Sequence, residues 1–191
     1  MNLEKELNFF LNFKNFKKRI LDEYFHFMSR TKVLEQNQIE QKIIRMAWEI
    51  YEQNFNESEI VIAGIQSQGY ILAQRISKQL TKISSLDVKL IKLELDKKDP
   101  LSKEIVVENH PQLKDKIVVL VDDVLNSGKT LMYSSKYFLN HEVRKLMTAV
   151  LVNRNYRQFP IKANVVGVSL STTMQEHVTV DLGNDESVFL D

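Results

Sequence analysis

The sequence predicts an α/β fold, a central parallel β-sheet flanked by helices, and three observations carry that prediction. Apolar, β-branched runs at 59–63 (EIVIA) and 117–121 (IVVLV) do not alternate with polar residues, as expected of strands buried on both faces. Stretches with apolar residues at helical spacing separate these runs. Gly64, Gly69 and Gly128 fall just after the two runs, where a strand must turn into a helix.

Taken in order, residues 1–27 stand apart, holding six of the ten Phe together with Asn2, Asn8, Asn12 and Asn15. Three readings of this appendage stay open. Phe9, Phe13, Phe16 and Ile20 have the spacing of a docked amphipathic helix. The segment also reads as upstream sequence before a start at Met28. Lys14, Lys17, Lys18 and Arg19 beside the Phe residues allow a membrane-surface arm. The main domain is then 28–191. Ile39, Ile43, Ala47 and Ile50 give a helix over 36–53, with Met46 and Trp48 read as core or subunit interface. A buried strand at 59–63 ends at Gly64. A second helix starts at Gly69 with Leu72, Ala73, Ile76 and Leu80 on one side. A strand follows at 88–95, broken by DKKDP, then a short apolar patch at 105–107 and a loop at Pro111. The strand at 117–121 leads to a helix over 129–139. Later strands are expected at 146–152, 165–170, 178–182 and 188–190.

Composition narrows the function. Lys plus Arg is 26 against 25 for Asp plus Glu, a net charge of +1, which excludes a protein that binds by neutralising many phosphates. RNA as a partner therefore has no support from net charge. With no Cys there is no disulfide, thiolate nucleophile or Cys-ligated metal, and a reducing, cytoplasmic setting fits. No apolar run has the length of a membrane span, so no membrane partner is expected. His26, His110, His141 and His177 show no metal-pair spacing.

Open parallel sheets bind ligands at the carboxyl ends of their strands. There the segment IVVLVDDVLNSGKT delivers adjacent acids, Asp122 and Asp123, then a loop of Asn126, Ser127 and Gly128, then a helix starting at Lys129 and Thr130. A helix N-terminus carrying hydroxyls and a Lys suits a phosphate monoester. Paired acids suit a diol, a Mg²⁺ held through water, or both. Together they describe a sugar-phosphate site. SGKT ends like a nucleotide P-loop, but that motif needs Gly where Asp123 stands, and a carboxylate there repels phosphates. A plain solvated turn is the remaining reading. It is disfavoured because two acids next to a buried strand end are costly without partners.

This stretch resembles the ribose-phosphate motif of type I phosphoribosyltransferases. The resemblance runs from about Lys32 to Leu182 through KVLEQNQIEQKIIRMAWEIYEQN, GIQSQGYILAQRISKQL, AVLVNRNYRQFPIKANVVG and STTMQEHVTVDL. It looks in particular like a divergent member of the bifunctional pyrimidine-operon attenuators and uracil phosphoribosyltransferases. It implies a type I phosphoribosyltransferase fold: a five-stranded parallel core sheet with a small hood of C-terminal strands. It also implies that Asp122 and Asp123 hold the ribose hydroxyls and Mg²⁺, and that Asn126, Ser127, Gly128, Lys129 and Thr130 hold the 5′-phosphate. Gln66, Ser67, Gln68 and Gly69 would form the pyrophosphate loop, and Val165, Val166, Val168 and Arg154 the base pocket. Implied ligands are phosphoribosyl pyrophosphate, a nucleobase and a nucleoside monophosphate, bound by a homo-oligomer such as a dimer.

The sequence departs from the family where charge matters most. Gln66 and Gln68 stand where the family carries basic residues, which removes cations from the leaving-group site. Val165 and Val168 replace an aromatic and a Lys near the base. The arm KLELDKKDPLSKEIVV lacks the family's Tyr-Arg-Asp-Asp, with Lys97, Lys98 and Lys103 as candidate substitutes. Purine-salvage relatives place an Asp at Asn126 as a proton acceptor, a role an amide cannot fill, so hypoxanthine chemistry is disfavoured. Arg154, Asn155 and Arg157 follow a strand end, facing either ligand or solvent. Glu176 reads as a surface acid. Two functions remain. One is phosphoribosyl transfer to a base, a pyrimidine such as uracil being favoured. The other is a catalytically weak or inactive nucleotide-sensing regulator on the same scaffold.

Overall fold

Strand β1 (Thr31–Glu35) opens the fold and runs into helix α1 (Gln36–Glu52). The turn is fixed by a capping box in which Gln38 Oε1 accepts the Glu35 N–H at 2.9 Å. The chain continues through β2 (Glu59–Ile65), α2 (Gln68–Ile83), β3 (Asp87–Glu94) and the short β4 (Val106–Val107). Then come β5 (Ile117–Leu125), α3 (Lys129–Leu139), β6 (Lys145–Asn153), β7 (Val165–Ser169), β8 (Val178–Asp181) and β9 (Ser187–Leu190). The computed structural model describes residues 17, 30–97, 99–108, 112–173, 175–183 and 186–191. The appendage read at 1–27, apart from Lys17, lies outside the described residues, as do Lys98 and His110.

A six-stranded sheet has the order β4-β3-β2-β5-β6-β7. The five strands β3, β2, β5, β6 and β7 are parallel, and only β4 pairs antiparallel, at the β3 edge. The unbroken apolar runs have a direct cause. Along β5, Ile117, Val119 and Val121 enter the core beneath α1 and α2, while Val118 and Leu120 enter the core beneath α3. Both faces of the strand are covered, so no position is left for a polar residue. Truncating a side chain such as Leu120 to Ala should cost about 2–5 kcal/mol.

Three expectations are corrected at strand ends. β1 was not read as a strand. It holds one buried residue, Leu34, and its partner is β9, more than 150 positions away. The hood is therefore a three-stranded antiparallel sheet, β1-β9-β8, built from both ends of the described chain rather than from C-terminal strands alone. β2 does not stop at Gly64 but continues to Ile65, where pairing with Leu93 persists. β5 does not stop at Val121, because the ladder to β6 continues from Asp122 opposite Val150 to Leu125 opposite Asn153. The two acids thus lie within β5, held by sheet hydrogen bonds, with Val124 and Leu125 still to follow.

From β2 the chain steps to β3 on one side, then returns across β2 to β5, β6 and β7 on the other. The strand order reverses between β2 and β5. Such a switch point opens a crevice at the carboxyl ends of the two strands.

Candidate functional site

Two strand-to-helix loops meet at that crevice. The first follows β5. Asp122 is almost fully buried and Asp123 half-buried. Residues Asn126 to Thr130 carry the chain into α3, with Gly128 at φ 86°, in the left-handed region, as the residue before the helix. Only Gly fits there. A Cβ would also stand 2.7 Å from Ile161 Cγ2, and the φ alone disfavours any side chain. The loop is braced from behind, since Ser127 O accepts the N–H groups of Gln158 at 2.9 Å and Phe159 at 3.0 Å. Asp122, Lys97 and residues Asn126 to Leu131 line a cavity of about 180 Å³. Its floor is the N-terminus of α3, where backbone N–H groups lack helical partners.

The second loop follows β2. Gly69 lets the start of α2 press against β5: a Cβ there would lie 2.9 Å from Asp122 Oδ1 and 3.1 Å from Val121 O. Ser67, a residue with a side chain, holds φ 68° and ψ −129°. Conformations of that kind cost about 1–3 kcal/mol and persist where surrounding structure fixes them.

The acids carry a resident cation. Lys97 Nζ, just beyond the carboxyl end of β3, donates to Asp122 Oδ1 at 2.9 Å and lies 3.4 Å from Asp123 Oδ1. Burial pushes the Asp122 carboxyl up to about 8, the Asp123 charge pushes the same way, and Lys97 opposes both. Burial works against the Lys97 charge, but the two acids outweigh it and raise the ammonium above the ordinary lysine value. Burial sets the direction for Asp122, and the two acids set it for Lys97.

A helix N-terminus and two acids thus meet at the switch point of the sheet, an arrangement with the chemistry to receive a small anion joined to a polar group. The sequence pattern describing the phosphoribosyl transferase domain matches residues 29–186. The chain belongs to the phosphoribosyltransferase family. The "Bifunctional protein PyrR" of Streptococcus thermophilus is 33% identical over 156 residues, covering 80% of this chain and 90% of that protein. The protein of the same name from Clostridium kluyveri is 32% identical over 157 residues, covering 78% and 89%. Among solved structures, the hypoxanthine phosphoribosyltransferase of Trypanosoma cruzi superposes with a TM-score of 0.71 at 13% identity, covering 84% of this chain and 95% of that one. A hypoxanthine-guanine phosphoribosyltransferase from Bacillus anthracis gives 0.62 at 23% identity, covering 74% and 83%. At such identities these structures show the shared fold.

Within this phosphoribosyltransferase, Asp122, Asp123 and Asn126 to Thr130 come together as the motif suggests. Gln66, Ser67, Gln68 and Gly69 lie on the adjoining loop, but the two amides turn to the protein. Gln66 Nε2 donates to Leu95 O at 2.6 Å, and Gln68 Oε1 accepts the Leu182 N–H of the hood at 2.9 Å. The base-pocket expectation needs correction. Val165 is fully buried in the core and offers no face to a base, while Val168 is half-buried and packs against the same core. Val166 is half-buried, and its carbonyl accepts from Arg45.

Arg154 is 3% exposed and fully engaged: Nη1 to Asn126 Oδ1 at 2.9 Å, Nε to Thr172 Oγ1 at 3.0 Å, and Nη2 to Thr173 O at 3.1 Å. It ties the 126–130 loop to the segment after β7. Glu176 is half-buried rather than a plain surface acid: it accepts the Thr173 N–H, and that bond holds its carboxyl below the usual range. The sequence offers Lys97 only as a substitute for basic groups of the arm. Its place just after β3, at the carboxyl ends of the parallel strands, is the signal that it belongs with the acids.

Proposed function

We propose that this protein transfers a phosphoribosyl group from phosphoribosyl pyrophosphate to a nucleobase, a pyrimidine such as uracil, releasing pyrophosphate. The observation that carries this reading is that Asp122, with Asp123 next to it in β5, shares one cavity at the switch point with the 126–130 loop. Backbone N–H groups at the start of α3, with the Thr130 hydroxyl, hold the 5′-phosphate. Asp122 and Asp123 accept the ribose hydroxyls and fix the sugar with its anomeric carbon toward the β2–α2 loop. The anomeric C–O bond breaks with its electron pair leaving on pyrophosphate, and the base nitrogen forms the new C–N bond. The base's proton passes to solvent, since the Asn126 amide cannot accept it.

Asp122 and Asp123 are also the groups that would hold Mg²⁺, together with water and oxygens of the substrate. Among the described residues no group of three His, Cys, Asp or Glu assembles, so the protein's share of such a coordination shell is small. When bound, Mg²⁺ supplies charge neutralisation on the pyrophosphate. No side chain acts as a nucleophile; positioning is the protein's contribution.

A second reading rests on a specific observation. Gln66 and Gln68 are neutral, and their amides are already bonded to Leu95 O and the Leu182 N–H. A leaving group there meets few cations, and losing one preorganised donor costs about 10²–10³ in rate. That favours a slow or inactive nucleotide sensor. Free bases offered with phosphoribosyl pyrophosphate and Mg²⁺, assayed for pyrophosphate release, separate the two. Turnover strongest with uracil supports the transferase. Monophosphate binding without turnover supports the sensor. Absence of both binding and turnover contradicts both readings.

A further inference from the structure

Lys97 lines two cavities at once. One is the 126–131 cavity with Asp122. The other, of about 470 Å³, is bounded by Gln66, Asp96, Lys97, Lys103 and Glu104 on the leaving-group side. Its ammonium sits on both acids, at 2.9 and 3.4 Å, where a ribose diol or a metal ion would have to bind. A carboxylate cannot give the same lone pairs to an ammonium and to a substrate hydroxyl. The side chain is 38% exposed and arises from the segment after β3, so its flexible stem can leave the acids without disturbing the sheet. Across the crevice, the Gln66 and Gln68 amides bring no charge to the leaving-group side.

We propose that Lys97 is a resident counter-ion of the acid pair that substrate displaces, and that the displaced ammonium then serves the pyrophosphate side of the crevice. The proposal rests on the sugar-phosphate reading above. In the ligand-free protein Lys97 neutralises the acids and competes with ribose and metal. In the loaded protein it supplies the cation missing from the β2–α2 loop. Lys97 is therefore a positioning residue before binding and a leaving-group contact after it.

The two roles give opposite signs in one variant. Full-length protein carrying Lys97→Met is titrated calorimetrically with ribose 5-phosphate and, separately, with pyrophosphate. Ribose 5-phosphate is expected to bind roughly 5-fold tighter and pyrophosphate roughly 5-fold weaker, the lower end of known coupling effects. Mn²⁺, followed by its paramagnetic resonance signal without any ligand, should bind Lys97→Met more tightly than the parent. Lys97→Arg, which keeps the cation, should behave as the parent does. If Lys97→Met proves unstable, Lys97→Gln gives the same comparison. A parallel loss for both ligands, or no change in either, overturns the proposal, since Lys97 would then be a general surface cation or a bystander. A parent protein that does not bind ribose 5-phosphate at all instead overturns the sugar-phosphate reading itself.

Discussion

The loop after β5 and the loop after β2 sit side by side at one end of one sheet, yet they direct their polar groups in opposite ways. The segment at the end of β5 turns the Asp122 carboxyl and the helix N-terminus into a cavity, and its bracing bonds come from outside, through Gln158, Phe159 and Arg154. The β2 loop turns its side-chain amides inward: Gln66 serves the backbone after β3, and Gln68 fastens the hood. The first loop leaves polar groups open to a cavity, and the second engages its side chains in the fold. Equal position in a sheet therefore does not mean equal duty, and residue type alone does not show which way a polar group points.

The sharpest way to break this comparison is at the contact between the loops. Gly69→Ala puts a Cβ against the Asp122 carboxylate and the Val121 carbonyl. Because backbone must shift to admit it, we expect a loss of about 1–3 kcal/mol in urea unfolding, together with loss of ribose 5-phosphate binding. Asp123→Asn leaves the fold intact and removes a charged acceptor. Calorimetry should show ribose 5-phosphate binding weakened by about 1.5–3 kcal/mol. Unchanged affinity would mean the acid does not touch the sugar.

Changes in the other loop should act on the hood and leave phosphate binding nearly untouched. Gln68→Leu strips the Leu182 N–H of its acceptor, at an expected cost of about 1 kcal/mol, seen as faster amide exchange at Leu182. Gln68→Glu keeps an acceptor and should restore protection. Gln68→Arg would supply charge but cannot accept, so it too should loosen the hood. The smallest effect is Ser67→Gly. A glycine tolerates φ 68°, so thermal unfolding should show a gain of about 0.5–1 kcal/mol.

Much of this was legible in the residues. The runs EIVIA and IVVLV announced strands covered on both faces, and DDVLNSGKT announced acids beside an anion-binding helix start. Helix α3 begins at Lys129, where the small residues before it required. Other features depended on contacts distant in sequence. β1 has one buried side chain and exists because β9 pairs with it. The family resemblance makes Val165 a pocket residue, but sheet register sends it opposite Ala149 and into the core. Arg154 looked like a ligand group because it follows a strand. It became a tie because Asn126 and Thr172 supply acceptors that no local pattern reveals.

The most direct test of the division between the loops is amide hydrogen exchange of the full-length protein with and without saturating ribose 5-phosphate. The account predicts added protection across residues 126–131, at the start of α3, with the amides of residues 66–69 changing little. Protection centred on 66–69, with 126–131 unaffected, would place the phosphate on the other loop and contradict the account.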